Sequence, residues 1–361
     1  MKRSSEQAGR QQVRRNRRYH KGRRYSHSRV TVIFILAAIL AVVLIAGAYP
    51  ALARMSRVSQ AKAEIQASAG DQEVYDSVSV IKLKQSVEAD DYVEMTGMRS
   101  AADILIDADA CKIVAADGTA GESGTELYQT KIRPASMTKV LTLVTIVENL
   151  PEDWESRTYT FDVDKLQYLV TSLNASLAGF LSGETATATD MLYGMILPSG
   201  ADAVQGLIET FFSSEEEFME EMNATAQRIG MTNSHFTNPY GLDDPDLYST
   251  PEDIARLFQY AMHNSLCEEI LTTRTYTTQA MSKHSEGLSF TSGAYETMSA
   301  TDGMPDDVTY VAGKTGYTES GHDIVVMYIK NGHHYICVAA NASTDIERNY
   351  DIRDMLINYA E

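Results

Sequence analysis

The run DIVVMYIK-NG-HHYICVAA, Asp323 to Ala340, decides the fold class of this 361-residue chain. Two segments rich in Val, Ile and Tyr flank Asn331-Gly332, the strongest short-range signal for a β-hairpin. Just upstream, Val308-Thr309-Tyr310-Val311 is a further β-favouring run, and downstream Asp351 to Ile357 reads as a closing helix. At the other end of the same region, Ile104-Leu105-Ile106-Asp107 and Ile113-Val114-Ala115-Ala116 flank a short polar turn, a second hairpin. Between the two hairpins the signals are helical. Pro134 to Val147 is apolar nearly all round and is expected to be a buried central helix. Thr189-Asp190-Met191 opens a helix that ends near Pro198-Ser199-Gly200, and another runs on to Phe212. Ser214-Glu215-Glu216-Glu217 starts one that closes at Gly230, with acids in the first turn where the helix dipole favours them. Thr250-Pro251-Glu252-Asp253 supplies a cap, a proline at the first helical position and an acid three residues on. Strands at both ends with helices between them imply an α+β domain: an antiparallel sheet whose first and last strands meet, covered by helices.

Charge is distributed unevenly. Residues 1–29 hold 11 of the 31 Lys and Arg and one acid, Glu6, so this segment is about +10 and everything after it about −28. An acidic body is a poor partner for nucleic acid. Val30 to Ala48, VTVIFILAAILAVVLIAGA, is uncharged and at helical rise covers about 28 Å, enough to cross a hydrocarbon core. The basic flank puts residues 1–29 in the cytoplasm and the rest outside. Ala51-Leu52-Ala53 resembles a signal-peptide cleavage site, but the long basic region and long apolar run favour a retained anchor. The expected organisation is a basic cytoplasmic segment (1–29), a transmembrane anchor (30–49), an extracytoplasmic stalk (50–97) rich in Ala, Ser, Gln, Glu and Asp, and a catalytic domain (98–361). Location at the cell membrane follows. Cys111, Cys267 and Cys337 show no zinc spacing and are expected to be free, buried thiols; His333-His334 sits beside a turn and reads as surface. No metal or cofactor is expected.

Two short motifs carry chemistry. Ser-x-x-Lys occurs three times, at Ser59/Lys62, Ser79/Lys82 and Ser136/Lys139, but only the third opens the buried helix. Residues three apart share a helix face, so the amine of Lys139 can reach the hydroxyl of Ser136. A serine hydroxyl needs a base, and a lysine in a low-dielectric pocket near another cation loses its proton easily enough to serve. Lys314-Thr315-Gly316 occurs once, in VAGKTGYTESG. Lys314 is suited to bind a substrate carboxylate and to lower the pKa of Lys139, and Gly316 would let a substrate backbone lie against the strand edge.

ILIDADACKIV, IRPASMTKVLTLVTIVE, LSGETATATDMLYGMILPSGADAV, HFTNPYGLDDPDLYSTPEDIARL and VAGKTGYTESG, taken in order, resemble the serine D-alanyl-D-alanine carboxypeptidases, the low-molecular-mass penicillin-binding proteins. The likeness covers roughly residues 100–361. It implies a β-lactamase/transpeptidase-like fold, with an antiparallel sheet between helical layers and the site where the sheet meets an all-helical part. It implies Ser136 as nucleophile, Lys139 as general base and Ser199 as the group passing a proton to the leaving amine. Lys314 and Thr315 would bind the terminal carboxylate of a peptidoglycan stem peptide ending in D-Ala-D-Ala, and the oxyanion would lie between the N–H groups of Ser136 and Tyr317. β-Lactams would acylate Ser136. The family's middle motif, Ser-x-Asn, here reads Ser199-Gly200-Ala201. Loss of an amide bonded to a charged group costs on the order of 1.5–3 kcal/mol, so a weakened relative that binds wall peptides is an alternative. A DD-endopeptidase or a β-lactamase-like hydrolase is another. Asp202 is expected to point away, and His235 and Asn238 to be structural. His322 is expected to be structural as well.

Overall fold

In the computed structural model, which describes residues 92–117, 119–120 and 125–361, Asn331 and Gly332 both take left-handed backbone angles, φ +52° and +85°. A two-residue hairpin loop of type I′ requires this pair of angles. The central sheet has six strands: β1 (Val93–Met95), β2 (Ala102–Asp107), β3 (Lys112–Asp117), β4 (Val308–Thr318), β5 (Gly321–Lys330) and β6 (His333–Ala342). Their order across the sheet is β1-β3-β2-β6-β5-β4. The N-terminal hairpin meets the C-terminal one where β2 pairs antiparallel with β6, Ile106 opposite Ile336. Nine helices among the described residues complete the domain: α1 (Thr138–Glu148), α2 (Val163–Thr171), α3 (Ala188–Ile196), α4 (Ala201–Phe211), α5 (Glu215–Arg228), α6 (Pro251–Met262), α7 (Ser265–Thr272), α8 (Gly293–Ser299) and α9 (Asp345–Asn358).

Side chains alternate across the sheet, and both faces are covered. Leu105, Ile324, Val326, Tyr328, Cys337 and Ala339 form one core with Met298 of α8 and Ile352, Met355 and Leu356 of α9. α6 packs against β2 and β6, and α1 lies among α3, α4, α5, α6 and α7. Every residue of α1 from Thr138 to Val147 is buried. Its threonines are accommodated by local bonds: Thr142 Oγ1 donates to the Pro239 carbonyl at 2.7 Å and Thr145 Oγ1 to that of Leu141 at 2.8 Å. Truncating a fully buried leucine of this helix, such as Leu143, is expected to cost about 2–5 kcal/mol. Caps stand where the sequence placed them, with Ser214 accepting from the Glu217 N–H and Thr250 from that of Asp253.

The structure differs from expectation in several places. The sheet is not wholly antiparallel: β1 runs parallel to β3, Glu94 opposite Ala116. That edge strand falls within 50–97, the segment read as stalk. The segments 1–29 and 30–49, and residues 50–91 of the stalk, lie outside the described residues; among the described residues no helix is long and apolar enough to cross a membrane. The helix expected from Pro134 begins with a 3₁₀ turn at Ala135–Met137 and becomes α-helical only at Thr138. The C-terminal helix starts earlier than the expected Asp351, at Asp345, where the Thr344 hydroxyl caps it by accepting the Glu347 N–H. Helices α2, α7 and α8 were not among the elements expected from the sequence. In α2 only Leu169 is buried, and the Asp162 cap sets its start. All three cysteines are free thiols, Cys267 and Cys337 buried but Cys111 half-exposed.

Candidate active site

Strain marks the start of α1. Ala135, immediately before Ser136, sits at φ +48°, a left-handed conformation that costs a non-glycine residue of order 1 kcal/mol or more. Two glycines make room for it. A Cβ on Gly241, itself at φ +77°, would stand 1.8 Å from the Ala135 carbonyl oxygen. A Cβ on Gly316 would meet Ala135 Cβ at 2.8 Å and the Pro134 carbonyl oxygen at 3.1 Å. Gly316 is therefore needed for the close approach of β4 to this turn. The turn holds Ser136 half-buried, with its hydroxyl toward Lys139.

Lys139 is 3% exposed. Its Nζ donates to Ser136 Oγ at 3.0 Å and to the Tyr240 carbonyl at 2.7 Å. Burial pushes its pKa down to about 7, against the opposing charge of Asp202. The low-dielectric pocket that the sequence suggested is thus the cause of the shift. Lys314, 2% exposed on β4, donates to Ser199 Oγ and to the Thr315 carbonyl, each at 3.0 Å. Burial first, then the charges of Lys139 and Arg348, hold its pKa well below the ordinary lysine value. Ser199, at the α3–α4 turn, is also left-handed at φ +66°. The structure thus forms two amine–hydroxyl pairs, Lys139 with Ser136 and Lys314 with Ser199, and the charge of Lys139 bears on Lys314.

The other site residues fall around these pairs. Thr315 is half-buried beside Gly293 at the start of α8. Tyr317 is 69% exposed, and its ring lies 4.7 Å from that of His322, its antiparallel neighbour on β5. Ala201 is buried at the first turn of α4, and its N–H donates to the Ser176 carbonyl at 2.8 Å. Asp202 points to neither Ser199 nor Lys139. Its Oδ1 accepts from the Ala178 and Ala203 N–H groups at 2.7 and 3.0 Å, and its Oδ2 from Gly179 and Phe180 at 3.1 and 3.2 Å. It pins residues 178–180 to the head of α4 while its charge still acts on Lys139.

Sequence reasoning missed Tyr240. Its carbonyl is the second acceptor for Lys139, and its hydroxyl donates to Gln205 at 2.7 Å and Glu215 at 3.0 Å. Asn238 sets that carbonyl, its Oδ1 accepting from the N–H groups of Tyr240, Gly241 and Leu242 at 3.2, 2.9 and 2.9 Å. The signal was present in Asn238-Pro239-Tyr240-Gly241, a run of turn-forming residues. His235 bridges to Tyr248 in a structural β-contact, as expected.

A sheet between helical layers, with a serine, a lysine one helical turn on and a second lysine arriving on an adjoining strand, has the parts of a serine acyl-transfer site. The crystal structure of the Streptomyces K15 DD-transpeptidase superposes with a TM-score of 0.62 at 21% identity, covering 74% of this chain and 99% of that one. The family described as D-alanyl-D-alanine carboxypeptidase matches residues 89–344, and the chain belongs to it. It is 30% identical over 231 residues to the D-alanyl-D-alanine carboxypeptidase DacF of Bacillus subtilis, 63% of this chain but 55% of that relative's length. It is 26% identical over 251 residues to the D-alanyl-D-alanine carboxypeptidase of Streptomyces sp. strain K15, covering 66% and 83%.

Proposed function

We propose that this chain is a serine DD-carboxypeptidase that removes the terminal D-alanine from peptidoglycan stem peptides, held at the cell membrane by residues 30–49 with residues 98–361 outside. The observation that carries the reading is the 3.0 Å contact between a buried lysine amine with a pKa near 7 and the Ser136 hydroxyl. Near neutral pH about half of such amines are unprotonated, which is what a general base needs. Neutral Lys139 takes the hydroxyl proton as Ser136 Oγ bonds to the carbonyl carbon of the penultimate D-alanine. The tetrahedral oxyanion is received by the Ser136 and Tyr317 N–H groups, an arrangement of donors worth a few kcal/mol of barrier. The C–N bond then breaks. Lys314 donates to Ser199 Oγ, which leaves the Ser199 hydroxyl hydrogen free to go to the departing amine. The proton lost by Ser136 makes good that of Ser199. Thr315 and the Lys314 charge hold the substrate carboxylate. Water, deprotonated by Lys139, then cleaves the ester and restores Ser136.

Intact-mass analysis after incubation with penicillin tests this, together with D-alanine release from a peptide ending in D-Ala-D-Ala. A single adduct on the Ser136 peptide, absent in Ser136→Ala, and free D-alanine are expected. An adduct without D-alanine release would instead select the second reading, a weakened relative that binds wall peptides, which Ala201 favours. Rapid turnover of penicillin would select a β-lactamase-like hydrolase. Placing the family's amide back with Ala201→Asn is expected to raise turnover, and an unchanged rate would mean that the Tyr240 carbonyl already does its work.

A further inference from the structure

The chain holds three cysteines, an odd number, so at least one thiol has no partner within its own chain. Cys267 and Cys337 are free but fully buried, and burial raises the pKa of both thiols, which leaves them inert. Cys111, in the turn between β2 and β3, is partly exposed and lines a cavity of about 420 Å³ bounded also by α6, α7 and β4. We propose that Cys111 is a modification site, capped through a mixed disulfide by a small cationic aminothiol whose amine binds Gln259 in this cavity.

The thiol does not carry this alone. Gln259, on α6, is 2% exposed and belongs to the same lining. Its Nε2 donates to the Ala108 carbonyl at 2.7 Å and reaches Cys111 Sγ at 3.5 Å. The amide cannot turn over, because its oxygen would then face the Ala108 carbonyl, acceptor against acceptor. Oε1 is therefore fixed as an acceptor, and among the described residues it has no hydrogen-bond partner. A buried acceptor left unpaired is costly, and a ligand N–H would relieve it. Since Nε2 of the same amide already touches Sγ, an amine two carbons from the bonded sulfur is within reach of Oε1. Met262, Val311 and Met327 make part of the wall apolar, as methylene carbons require, while Asp109 and Glu268 favour a cation. Val311 has no partner on β5, where the register shifts between Tyr310 and Ala312, so the strand bends at this wall.

The step is a thiol–disulfide exchange. Cys111 Sγ, as thiolate, bonds to one sulfur of a small disulfide, the old S–S bond breaks, and the departing sulfur takes up the proton that Cys111 released. The oxidising side of the membrane, where the proposed anchor would put this domain, is where such disulfides persist. The position is separate from the nucleophile: Val311 stands three residues before Lys314 on β4, about 10 Å along the strand.

The test incubates the full chain at high salt with cystamine or, in parallel, with hydroxyethyl disulfide, reagents that differ by an amine against a hydroxyl. Adducts are timed by intact mass and mapped to their peptide, and each rate is divided by that of a free cysteine peptide with the same reagent. A single adduct on Cys111, absent in Cys111→Ser, is expected, with cystamine favoured about tenfold, the scale of one hydrogen bond to a charged group. Gln259→Met removes the unpaired oxygen and keeps a long side chain, so the preference should disappear. Being a ratio, it cancels any general change in thiol exposure or reactivity that the substitution brings. The reagents are added directly, so the outcome depends neither on the proposed export nor on the peptidase reading. Equal normalised rates in wild type would overturn the assignment, as would a preference that survives Gln259→Met. An adduct that persists in Cys111→Ser, or a disulfide-linked dimer of the chain formed in place of the adduct, would overturn it too.

Discussion

This domain buries two sets of like charges, and they are used in opposite ways. Around Ser136 two lysines, each at most 3% exposed, have hydroxyl and carbonyl oxygens as hydrogen-bond partners and, among the described residues, no direct carboxylate. Where β2 and β3 meet α9, Asp103, Asp117 and Asp351 come together, with Asp351 held by Arg99 and by the N–H groups of Arg99 and Ser100. Asp103 is fully buried, and burial with the charges of Asp117 and Asp351 drives its pKa well above the carboxylate range; burial lifts Asp117 to about 6. The two lysines, and Asp103 and Asp117 among the carboxyls, are pushed toward their neutral forms by desolvation. A neutral amine is a base aimed at a hydroxyl. A neutral carboxyl is a donor that can share its hydrogen with a neighbouring carboxylate, a structural use. The same physics serves chemistry only where a half-buried nucleophile stands beside it.

The comparison can be broken most severely at the amine end. Ser136→Ala is expected to abolish the penicillin adduct, and Lys139→Ala to slow acylation by about 10²–10⁴-fold, read by stopped-flow or gel labelling. A Lys139→Ala chain that acylates at the wild-type rate would remove the distinction altogether. The next largest effect concerns the turn that holds the serine. Gly241→Ala forces a Cβ against the Ala135 carbonyl and should cost several kcal/mol with a matching loss of acylation. Gly332→Ala, at φ +85° with nothing within 4 Å of the added atom, should cost only about 1 kcal/mol. Denaturant melts of the two variants measure the contrast, and equal losses would refute the claim that the nucleophile turn is the tightly packed one.

The smallest effect lies at the carboxyl set. A carboxyl whose folded pKa is raised stabilises the fold only while protonated, so its contribution is intact below the unfolded value near 3.8 and is lost as pH rises through the folded one. Asp103→Asn keeps a neutral donor at every pH. It is expected to raise the thermal midpoint by a few degrees at pH 8 and by less at pH 4. The same change in midpoint at pH 8 as at pH 4 would show that Asp103 is not held protonated.

Most of the helices and the two hairpins were legible because their signals are local: a cap with its acid, an apolar stripe, an Asn-Gly turn. The two lysines could be read as well, since Ser136 and Lys139 share one helical turn and Lys314 stands in a distinctive strand. What escaped depends on contacts between distant segments. The Tyr240 carbonyl is a backbone group, which no side-chain pattern marks. Asp103, Asp117 and Asp351 come from β2, β3 and α9, and nothing in their spacing announces that they meet. The packing role of Gly316 escaped because its neighbour across the turn, Ala135, is 181 residues away. The parallel edge strand β1 is three residues long, too short for an apolar alternation to stand out.

The measurement that bears most directly on the account is the titration of Lys139 itself, followed by NMR of lysine labelled at the ε-carbon and assigned with Lys139→Arg. A midpoint near pH 7 is expected, with the acylation rate rising through the same pH as the amine loses its proton. A midpoint close to the ordinary lysine value of about 10.4, with acylation unchanged across neutrality, would contradict it.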